Sequence, residues 1–285
     1  MSRSVLCCGL TTLDITQVVE RLPAANEKVL AGELRLAVGG PAANAALTAA
    51  ALGSPTTLVT ALGTGPLAAL AHTALTEAGV RVLDLGTLDS PPVSTVLVTE
   101  ATGERAVVST NAATARELAD LTGLAQLADG AACVLVDGHL PEASLALCRA
   151  AREHAIPTLL DGGSYKPQSL ELFAHLDQVL LSEDFAWPGT TDALAAVATL
   201  GPQLVAQSAG GGPITVRRGG GTTTVPVTAV PPEEIVDTLG AGDVLHGAWA
   251  HAVAGGAGAL EALRTAAEVA STSVRHPGAL GWVRR

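Results

Sequence analysis

The stretch Asp237-Thr238-Leu239-Gly240-Ala241-Gly242-Asp243 decides the interpretation of the fold, because it leads directly into an apolar segment of helical length. Gly240 and Gly242 carry no Cβ, so the backbone at these positions can approach a ligand closely. Successive N–H groups at the start of a helix form a binding site for an anion, and the helix dipole assists them. The stretch therefore predicts a loop and a helix N-terminus that bind a phosphate group.

Asp243 is the unexpected residue of this loop, because a site for phosphate would repel a carboxylate. The carboxylate has a purpose if it accepts the proton of a hydroxyl group that attacks a phosphoryl group. The alternative is that Asp243 only caps the helix and that the glycines only form a turn. The residue pattern alone leaves both interpretations open.

Two further features suggest a site for a polyol. Gly39-Gly40-Pro41-Ala42-Ala43-Asn44 leads into another helix, where a ligand can lie against the diglycine and the Asn44 amide offers both a donor and an acceptor. Asp14 follows the first buried strand, near the edge at which open α/β sheets bind ligands. An ordinary helix start and a solvated loop aspartate are the alternatives.

The chain alternates between strand-like and helix-like segments, which predicts an α/β fold with a largely parallel central sheet covered on both faces. The predicted strands are Val5–Leu10, Thr57–Leu62, Arg81–Leu85, Cys133–Val136, Thr158–Leu160 and Gln178–Leu181. The predicted helices are Pro41–Leu52, Pro66–Ala78, Glu142–His154, Ala241–Ala254 and Ala259–Val274. We expect residues 1–285 to form a single domain.

Two stretches, Ile15–Val38 and Pro92–Ser109, contain strand-like segments with no intervening helix. In the second stretch, β-branched residues flank Thr102-Gly103, a dipeptide suited to a hairpin turn. The two stretches predict a small antiparallel sheet that projects from the main domain. Ile214–Arg218 and Thr222–Val227 predict a third hairpin-like piece.

The composition excludes several classes of function. The chain is 48% hydrophobic and only 2% aromatic, and its net charge of −11 argues against binding to a nucleic-acid backbone. The sequence has no apolar run long enough for a membrane span and no signal peptide, so we expect a cytoplasmic protein. None of the four cysteines has C-x-x-C spacing, which favours buried free thiols over a zinc site.

Other nucleotide-binding signatures give weaker indications. Neither Lys28 nor Lys166 follows a glycine run, which excludes a P-loop. Gly63-Thr64-Gly65-Pro66-Leu67-Ala68 matches the dinucleotide pattern G-x-G-x-x-[GA], and Asp84 stands at the end of the next strand. This motif is common by chance and begins after a complete strand–helix unit. Binding of NAD stays open as an alternative.

The two glycine-rich stretches, in this order and about 200 residues apart, resemble the signature regions of the ribokinase (PfkB-type) family of carbohydrate kinases. The resemblance implies a ribokinase-like three-layer sandwich with a small β-sheet lid, formed by about 12–38 and 92–110. It implies transfer of a phosphoryl group from ATP, with Mg²⁺, to a hydroxyl of a small sugar or sugar-like polyol. It leaves a requirement for a monovalent cation open, and many members form homodimers through their lids.

The resemblance also assigns roles to residues of this sequence. Asp243 is the catalytic base and also contacts the acceptor, and Glu183 in Ser182-Glu183-Asp184-Phe185 is the candidate metal ligand in a segment where many relatives carry N-x-x-E. The remaining acceptor contacts are Asp14, Gly39, Gly40, Asn44 and Lys28. The ATP-binding and anion-hole residues are Thr238, Gly240, Ala241, Gly242, Gly210 and Gly212. The last two belong to Gln207–Gly212, where the family's Thr-x-Gly-x-x-Gly is only partly kept.

Details of the sequence are similar to the ketohexokinase and sulfosugar-kinase branch of the family. Lys28 matches the lysine that sulfosugar kinases use for an anionic tail, but Ser109 and Gly138 stand at the other two tail-binding positions. A neutral ketose or related polyol is therefore the favoured acceptor. A nucleoside kinase of the same fold and a catalytically silent sugar- or nucleotide-binding regulator stay open as alternatives.

Overall fold

The computed structural model describes residues 3–86, 88–102, 104–110 and 121–283. The strands in these ranges are β1 Val5–Cys8, β2 Thr12–Val19, β3 Ala31–Gly39, β4 Thr56–Thr60, β5 Val80–Asp84, β6 Val93–Thr99, β7 Arg105–Ser109, β8 Cys133–Val136, β9 Thr158–Gly162, β10 Gln178–Leu181, β11 Leu204–Ala209, β12 Gly212–Arg218 and β13 Gly221–Val225. The helices are α1 Pro41–Ala51, α2 Pro66–Glu77, α3 Thr122–Ala128, α4 Pro141–Glu153, α5 Ala193–Ala198, α6 Ala241–Ala254 and α7 Ala259–Ser273, with 3₁₀ helices at Pro167–His175 and Pro232–Glu234.

The central sheet has the strand order β13-β12-β11-β10-β9-β8-β1-β4-β5. The seven strands from β11 to β5 are parallel, and β12 and β13 extend the sheet antiparallel. Helices α1, α6 and α7 cover one face, and α3, α4, α5 and the 3₁₀ helix Pro167–His175 cover the other. The three-layer α/β sandwich with a largely parallel sheet is confirmed.

The strands of this sheet are apolar on both sides because helices bury both faces. Alternate residues of β1 and β8 serve different cores: Cys7 and Cys133 pack toward α1 and α6, whereas Cys8 and Val134 pack toward α4. Small side chains let the helices approach closely. A Cβ on Gly247 of α6 would collide with the carbonyl oxygen of Ala45 in α1.

A second sheet of four strands, in the order β3-β2-β6-β7, stands at the carboxyl edge of the central sheet. Its outer pairs, β2 with β3 and β6 with β7, are antiparallel. Its middle pair, β2 with β6, is parallel, so the sheet is mixed. Both strands leave the same edge of the parallel sheet, β2 after β1 and β6 after β5, and therefore run in the same direction.

The predicted elements are present, with ends that differ by one or two residues for most of them. The hairpin predicted at 214–227 forms β12 and β13, but it continues the central sheet through β11, because Leu204–Ala209 is itself a strand. The prediction missed β11 and the short helices α3 and α5. Gly103 of the predicted β6–β7 turn lies outside the described residues, as do the chain ends at 1–2 and 284–285. Within the described ranges, no helix is long and apolar enough to span a membrane.

Candidate active site

The residues assigned to the site converge at the carboxyl edge of the central sheet. Helices α1 and α6 begin there, and the strands β8, β9, β10 and β11 end there. Gly40, with φ 95°, precedes Pro41 at the start of α1, and Gly240, with φ 75°, precedes α6. Both glycines adopt backbone conformations that other residues rarely adopt. The parallel sheet therefore places two glycine-led helix starts side by side.

Asp243 and Asn44 form the direct contact between these two helix starts. The Asn44 amide Nδ2 donates a hydrogen bond to Asp243 Oδ2 at 2.7 Å, although the residues are 199 positions apart in the sequence. Asn44 is 8% exposed, and Asp243 is half-buried in the first turn of α6. The contact holds the carboxylate in one orientation at the mouth of the site.

Burial raises the pKa of Asp243 to about 7, because it penalises the charged carboxylate. The negative charges of Asp161 and Asp137 act in the same direction. The hydrogen bond from Asn44 and the charge of His246 act in the opposite direction. A carboxylate with a pKa near neutral pH is well matched to accept a proton from a substrate.

The loop before α6 leaves backbone donors for an anion. The Ala241 N–H donates to the Thr238 carbonyl at 3.3 Å, but among the described residues the N–H groups of Gly240 and Gly242 have no hydrogen-bond acceptor. A Cβ on Gly242 would meet nothing within 4 Å, so the space beside it is open. A Cβ on Gly240 would lie 2.8 Å from Ala279, which explains why glycine is needed there.

Asp14 and the diglycine lie together on the other side of the site. Asp14 is half-buried in β2, and its Oδ1 accepts a hydrogen bond from the Thr12 hydroxyl at 2.8 Å. A Cβ on Gly39 would collide with the Asp14 carboxylate, and one on Gly40 would collide with the Leu10 carbonyl. The absence of side chains at Gly39 and Gly40 thus makes room for Asp14 and for the backbone of Leu10.

The segments after β10 and β11 also meet at this edge. Gly210 and Gly211 form the turn of the β11–β12 hairpin, and Gly212 pairs with Ala209. Glu183 is exposed just after β10, and its Oε2 would lie 3.0 Å from a Cβ on Gly210. The structure thus brings Glu183 and the glycines of 210–212 together.

Lys28 is the assigned residue that is not brought into the site. It is exposed in the loop between β2 and β3, and within the described ranges no hydrogen bond or ion pair joins it to the other assigned residues. A different cation reaches the site from the small sheet. Arg105 of β7 donates to Asp237 Oδ1 at 3.2 Å and to the Thr238 hydroxyl at 3.4 Å.

A set of ionisable side chains that the sequence prediction did not assign to the site lies beneath Asp243: Asp137, His139, Asp161, Lys166 and His246. Asp137, which is 2% exposed, accepts hydrogen bonds from the backbone N–H groups of Leu10, Ala42 and His139 and so joins β1 to α1. Asp137 and Asp161 both follow runs of buried apolar strand residues. That position, at the carboxyl end of a parallel strand, was the available sequence signal.

Two other expectations from the sequence concern cysteines and NAD. All four cysteines are buried free thiols, and burial raises their pKa values, so they are unreactive. The described residues contain no cluster of three or more His, Cys, Asp or Glu side chains that could hold a metal ion.

The turn at Gly63 packs against the carbonyl of Leu88, and Asp84 accepts hydrogen bonds from Leu62 N–H and Gly86 N–H. Gly63 and Asp84 Oδ1 are therefore engaged by contacts within the chain.

The fold and these glycine-led helix starts, one carrying an aspartate, are those of a kinase that transfers a phosphoryl group to an alcohol. The chain belongs to the pfkB family of carbohydrate kinases, whose family model matches residues 2–282. It is 27% identical to the ribokinase of Bacillus subtilis (strain 168), over 98% of this chain and 95% of that protein. The protein is therefore a carbohydrate kinase.

Solved structures agree with this fold. A putative ribokinase from Agrobacterium tumefaciens superimposes with a TM-score of 0.84 at 24% identity, covering 99% of this chain and 94% of that one. Arabidopsis thaliana ribokinase, complexed with ribose and ATP, superimposes with a TM-score of 0.77 at 22% identity, covering 99% and 96%. At these identities the likeness concerns the fold alone.

Proposed function

We propose that the protein uses ATP to phosphorylate a hydroxyl of a small neutral sugar or sugar-like polyol, with Asp243 as the base. The observation that carries the proposal is the position of Asp243: it is oriented by Asn44 and lies next to the open space beside Gly242. The proton of the acceptor hydroxyl passes to the Asp243 carboxylate. The hydroxyl oxygen then bonds to the terminal phosphorus of ATP, and the bond to ADP breaks.

In this proposal, the N–H groups of Gly240 and Gly242 donate hydrogen bonds to the transferring phosphoryl group and stabilise the negative charge that develops on it. Ala241 completes this turn, and Thr238 lies at its outer end, where its hydroxyl contacts Arg105. The glycines at 210 and 212 form the floor on which the nucleotide rests. In this proposal, ATP lies on the β10–β12 side of Asp243, and the acceptor sugar lies on the β2 side.

Glu183 is the residue that we propose as a ligand of Mg²⁺. Mg²⁺ in nucleotide sites takes one or two carboxylates, and substrate phosphates and waters complete its coordination. An exposed carboxylate beside the proposed nucleotide floor fits that requirement. When bound, the ion would neutralise negative charge on the phosphates.

We propose that the acceptor sugar binds to Asp14, Asn44 and the backbone at Gly39 and Gly40. A carboxylate and an amide can together bind several hydroxyl groups of a polyol. A neutral acceptor such as a ketose agrees with the exposed position of Lys28, because the other described residues that we assign to the acceptor carry no positive charge. Ribose is the comparison substrate, since two of the relatives above are ribokinases.

We propose that the sheet β3-β2-β6-β7 is the lid of this single domain. It carries Asp14, and Arg105 connects its far edge to the loop that leads into α6. The lid also exposes several apolar side chains, which would be buried in a homodimer formed through it: Leu34, Leu36, Val107 and Val108.

A nucleoside acceptor is less favoured because most of the aromatic side chains pack within the α/β core. Trp187 contacts Tyr165, Phe173 and Phe185, with ring centroids 5.1, 5.9 and 6.5 Å away. Trp249 is fully buried in the core on the other face of the sheet. These rings stabilise the α/β core and do not form a pocket for a base on the acceptor side.

Thermal melting with ATP·Mg²⁺, ADP, NAD and a series of sugars tests the proposal. A ligand that binds only the folded state at about 100 times its Kd stabilises it by about 2.7 kcal/mol. We expect ATP·Mg²⁺ and ADP to raise the Tm and NAD to leave it unchanged, and we expect ADP release only with an acceptor sugar present. Stabilisation by NAD alone would contradict the proposal, and binding of ATP and sugar without turnover would favour a silent regulator.

A further inference from the structure

His246 lies one turn beyond Asp243 on α6, is 3% exposed, and has both ring nitrogens beside backbone carbonyl groups. Its Nδ1 is 2.7 Å from the carbonyl oxygen of Gly242, and its Nε2 is 3.0 Å from the carbonyl oxygen of Leu180 at the end of β10. A carbonyl can only accept a hydrogen bond. Both contacts are therefore hydrogen bonds only when both ring nitrogens carry protons, as they do in the imidazolium cation.

Asp161 at the end of β9 supplies the opposite charge. Burial raises the pKa of this carboxyl, and the charge of His246 lowers it. Its Oδ2 is 3.4 Å from His246 Nδ1, and the two side chains are only 6% and 4% exposed. Within the described residues this oxygen has no hydrogen-bond partner. A buried carboxylate oxygen without any compensating group is costly, whereas a neighbouring imidazolium compensates its charge.

We propose that His246 is a positioning residue for phosphoryl transfer: a buried imidazolium, paired with Asp161, that fastens the first turn of α6 to the ends of β9 and β10. The catalytic part of this inference rests on the proposed role of Asp243. Gly242, whose carbonyl the ring holds, immediately precedes Asp243 and carries one of the free N–H groups. Fixing this carbonyl orients the peptide unit that joins Gly242 to the base and restrains the preceding unit, which carries the Gly242 N–H donor.

The cation also acts on the charge of Asp243. Asp161 on β9 and Asp137 after β8 are negative groups that raise the pKa of Asp243, and His246 opposes them. His139 after β8 and Lys166 after β9 are the other ionisable groups that face this cluster. Removing the imidazolium would leave the carboxylates uncompensated, so Asp243 would ionise only at a higher pH.

Nuclear magnetic resonance of the ¹⁵N-histidine-labelled protein tests the charge directly and needs no activity. The ring signals of His246 are assigned by their loss in His246→Gln. We expect both ring nitrogens to be protonated at pH 8. A neutral ring at pH 8, with one unprotonated nitrogen, would overturn the inference even if the kinase reaction is as proposed.

Kinetics of variants tests the positioning role. We expect His246→Gln to lower kcat by about 10- to 100-fold with little change in the KM for ATP, and to move the acid limb of kcat/KM up by about one pH unit. The control is His251→Gln on the same helix. The His251 side chain forms a hydrogen bond with the Ser54 hydroxyl at 2.8 Å, away from Asp243, so the change should leave both quantities unchanged. An acid limb that does not move in His246→Gln would contradict the role.

The double variant His246→Gln/Asp161→Asn distinguishes a charge pair from simple packing. If the pair exists, the single change leaves a buried carboxylate uncompensated, and the second change removes that carboxylate. We therefore expect the double variant to melt at a higher temperature than His246→Gln. A double variant that is no more stable than His246→Gln would overturn the pairing.

Discussion

At the scale of single residues, Asp243 has to satisfy two opposing requirements if it is the base, as we propose. It lies beside backbone donors suited to phosphate, yet a base must be ionised to accept a proton. Burial raises its pKa to about 7, and the Asn44 hydrogen bond limits that rise by stabilising the charged form. The result is a carboxylate that is basic enough to take a hydroxyl proton and is still ionised above neutral pH.

This pKa predicts the pH dependence of the reaction. An ordinary aspartate has a pKa of about 3.9, so its ionisation would be complete well below neutral pH. Because the pKa of Asp243 is raised, the carboxyl is protonated and inactive below it, and kcat/KM should fall tenfold per pH unit below an apparent pKa of about 7. Measurement of kcat/KM between pH 5 and 9, with saturating ATP, checks this. A plateau that continues down to pH 5 would show that no such group controls the reaction.

At the scale of elements, the packing of α1 on α6 brings the two halves of the site together. Asn44 lies on α1 and Asp243 on α6, and Gly247 allows the helices to approach closely. A side chain at Gly247 would meet the Ala45 carbonyl and the Thr48 side chain. The helix contact and the hydrogen bond between Asn44 and Asp243 therefore depend on the same interhelical distance.

Replacing Gly247 tests this dependence. We expect Gly247→Ala to destabilise the fold by about 1–3 kcal/mol, because the added methyl group overpacks the helix contact, and to lower kcat by displacing Asn44 from Asp243. Gly123→Ala in α3 is the control: its Cβ would meet nothing within 4 Å, so stability should be unchanged or higher by up to about 1 kcal/mol. Chemical denaturation and steady-state kinetics measure both effects. Wild-type stability and kcat for Gly247→Ala would disprove the coupling.

At the scale of the whole molecule, the proposed lid is the small sheet at the carboxyl edge of the central sheet. Among the described residues no strand pairs beyond β3 or β7, and these two edge strands carry Leu34 and Val108, which are 65% and 76% exposed. Exposed apolar edge strands promote association with another chain. This surface agrees with a homodimer formed through the lids.

Light scattering on the purified protein checks the dimer. We expect a dimer at micromolar concentration, and Leu34→Glu should shift it to a monomer because a charge would be buried in the interface. Leu170→Glu is the matched control, since Leu170 is an exposed leucine on the 3₁₀ helix Pro167–His175, away from the lid. A monomeric wild-type protein, or a Leu34→Glu variant that stays dimeric, would argue against this interface.

Much of the fold follows from local sequence signals. Glycine and proline mark the starts of α1, α2 and α6, and continuous apolar runs mark the parallel strands. Strand β11 was missed because it passes directly into the glycine turn of a hairpin. The partners of Asp137, Asp161 and His246 were missed because their contacts join residues far apart in the sequence, and only the sheet order brings them together. Lys28, assigned by resemblance, lies in a loop whose position is not determined by local pattern.

The proposed mechanism depends most on the identity of the base, and single-turnover kinetics of Asp243→Asn measures it most directly. The amide is nearly isosteric, and no side chain caps the start of α6 at Gly240, so the fold should be kept. Because ionisation of the buried carboxyl opposes folding above the usual aspartate pKa, the variant should melt at pH 8 no lower than the wild type. We expect the rate of the chemical step to fall by about 10²- to 10⁴-fold while ATP still binds. A variant that folds, binds ATP and sugar, and transfers the phosphoryl group at the wild-type rate would contradict the account.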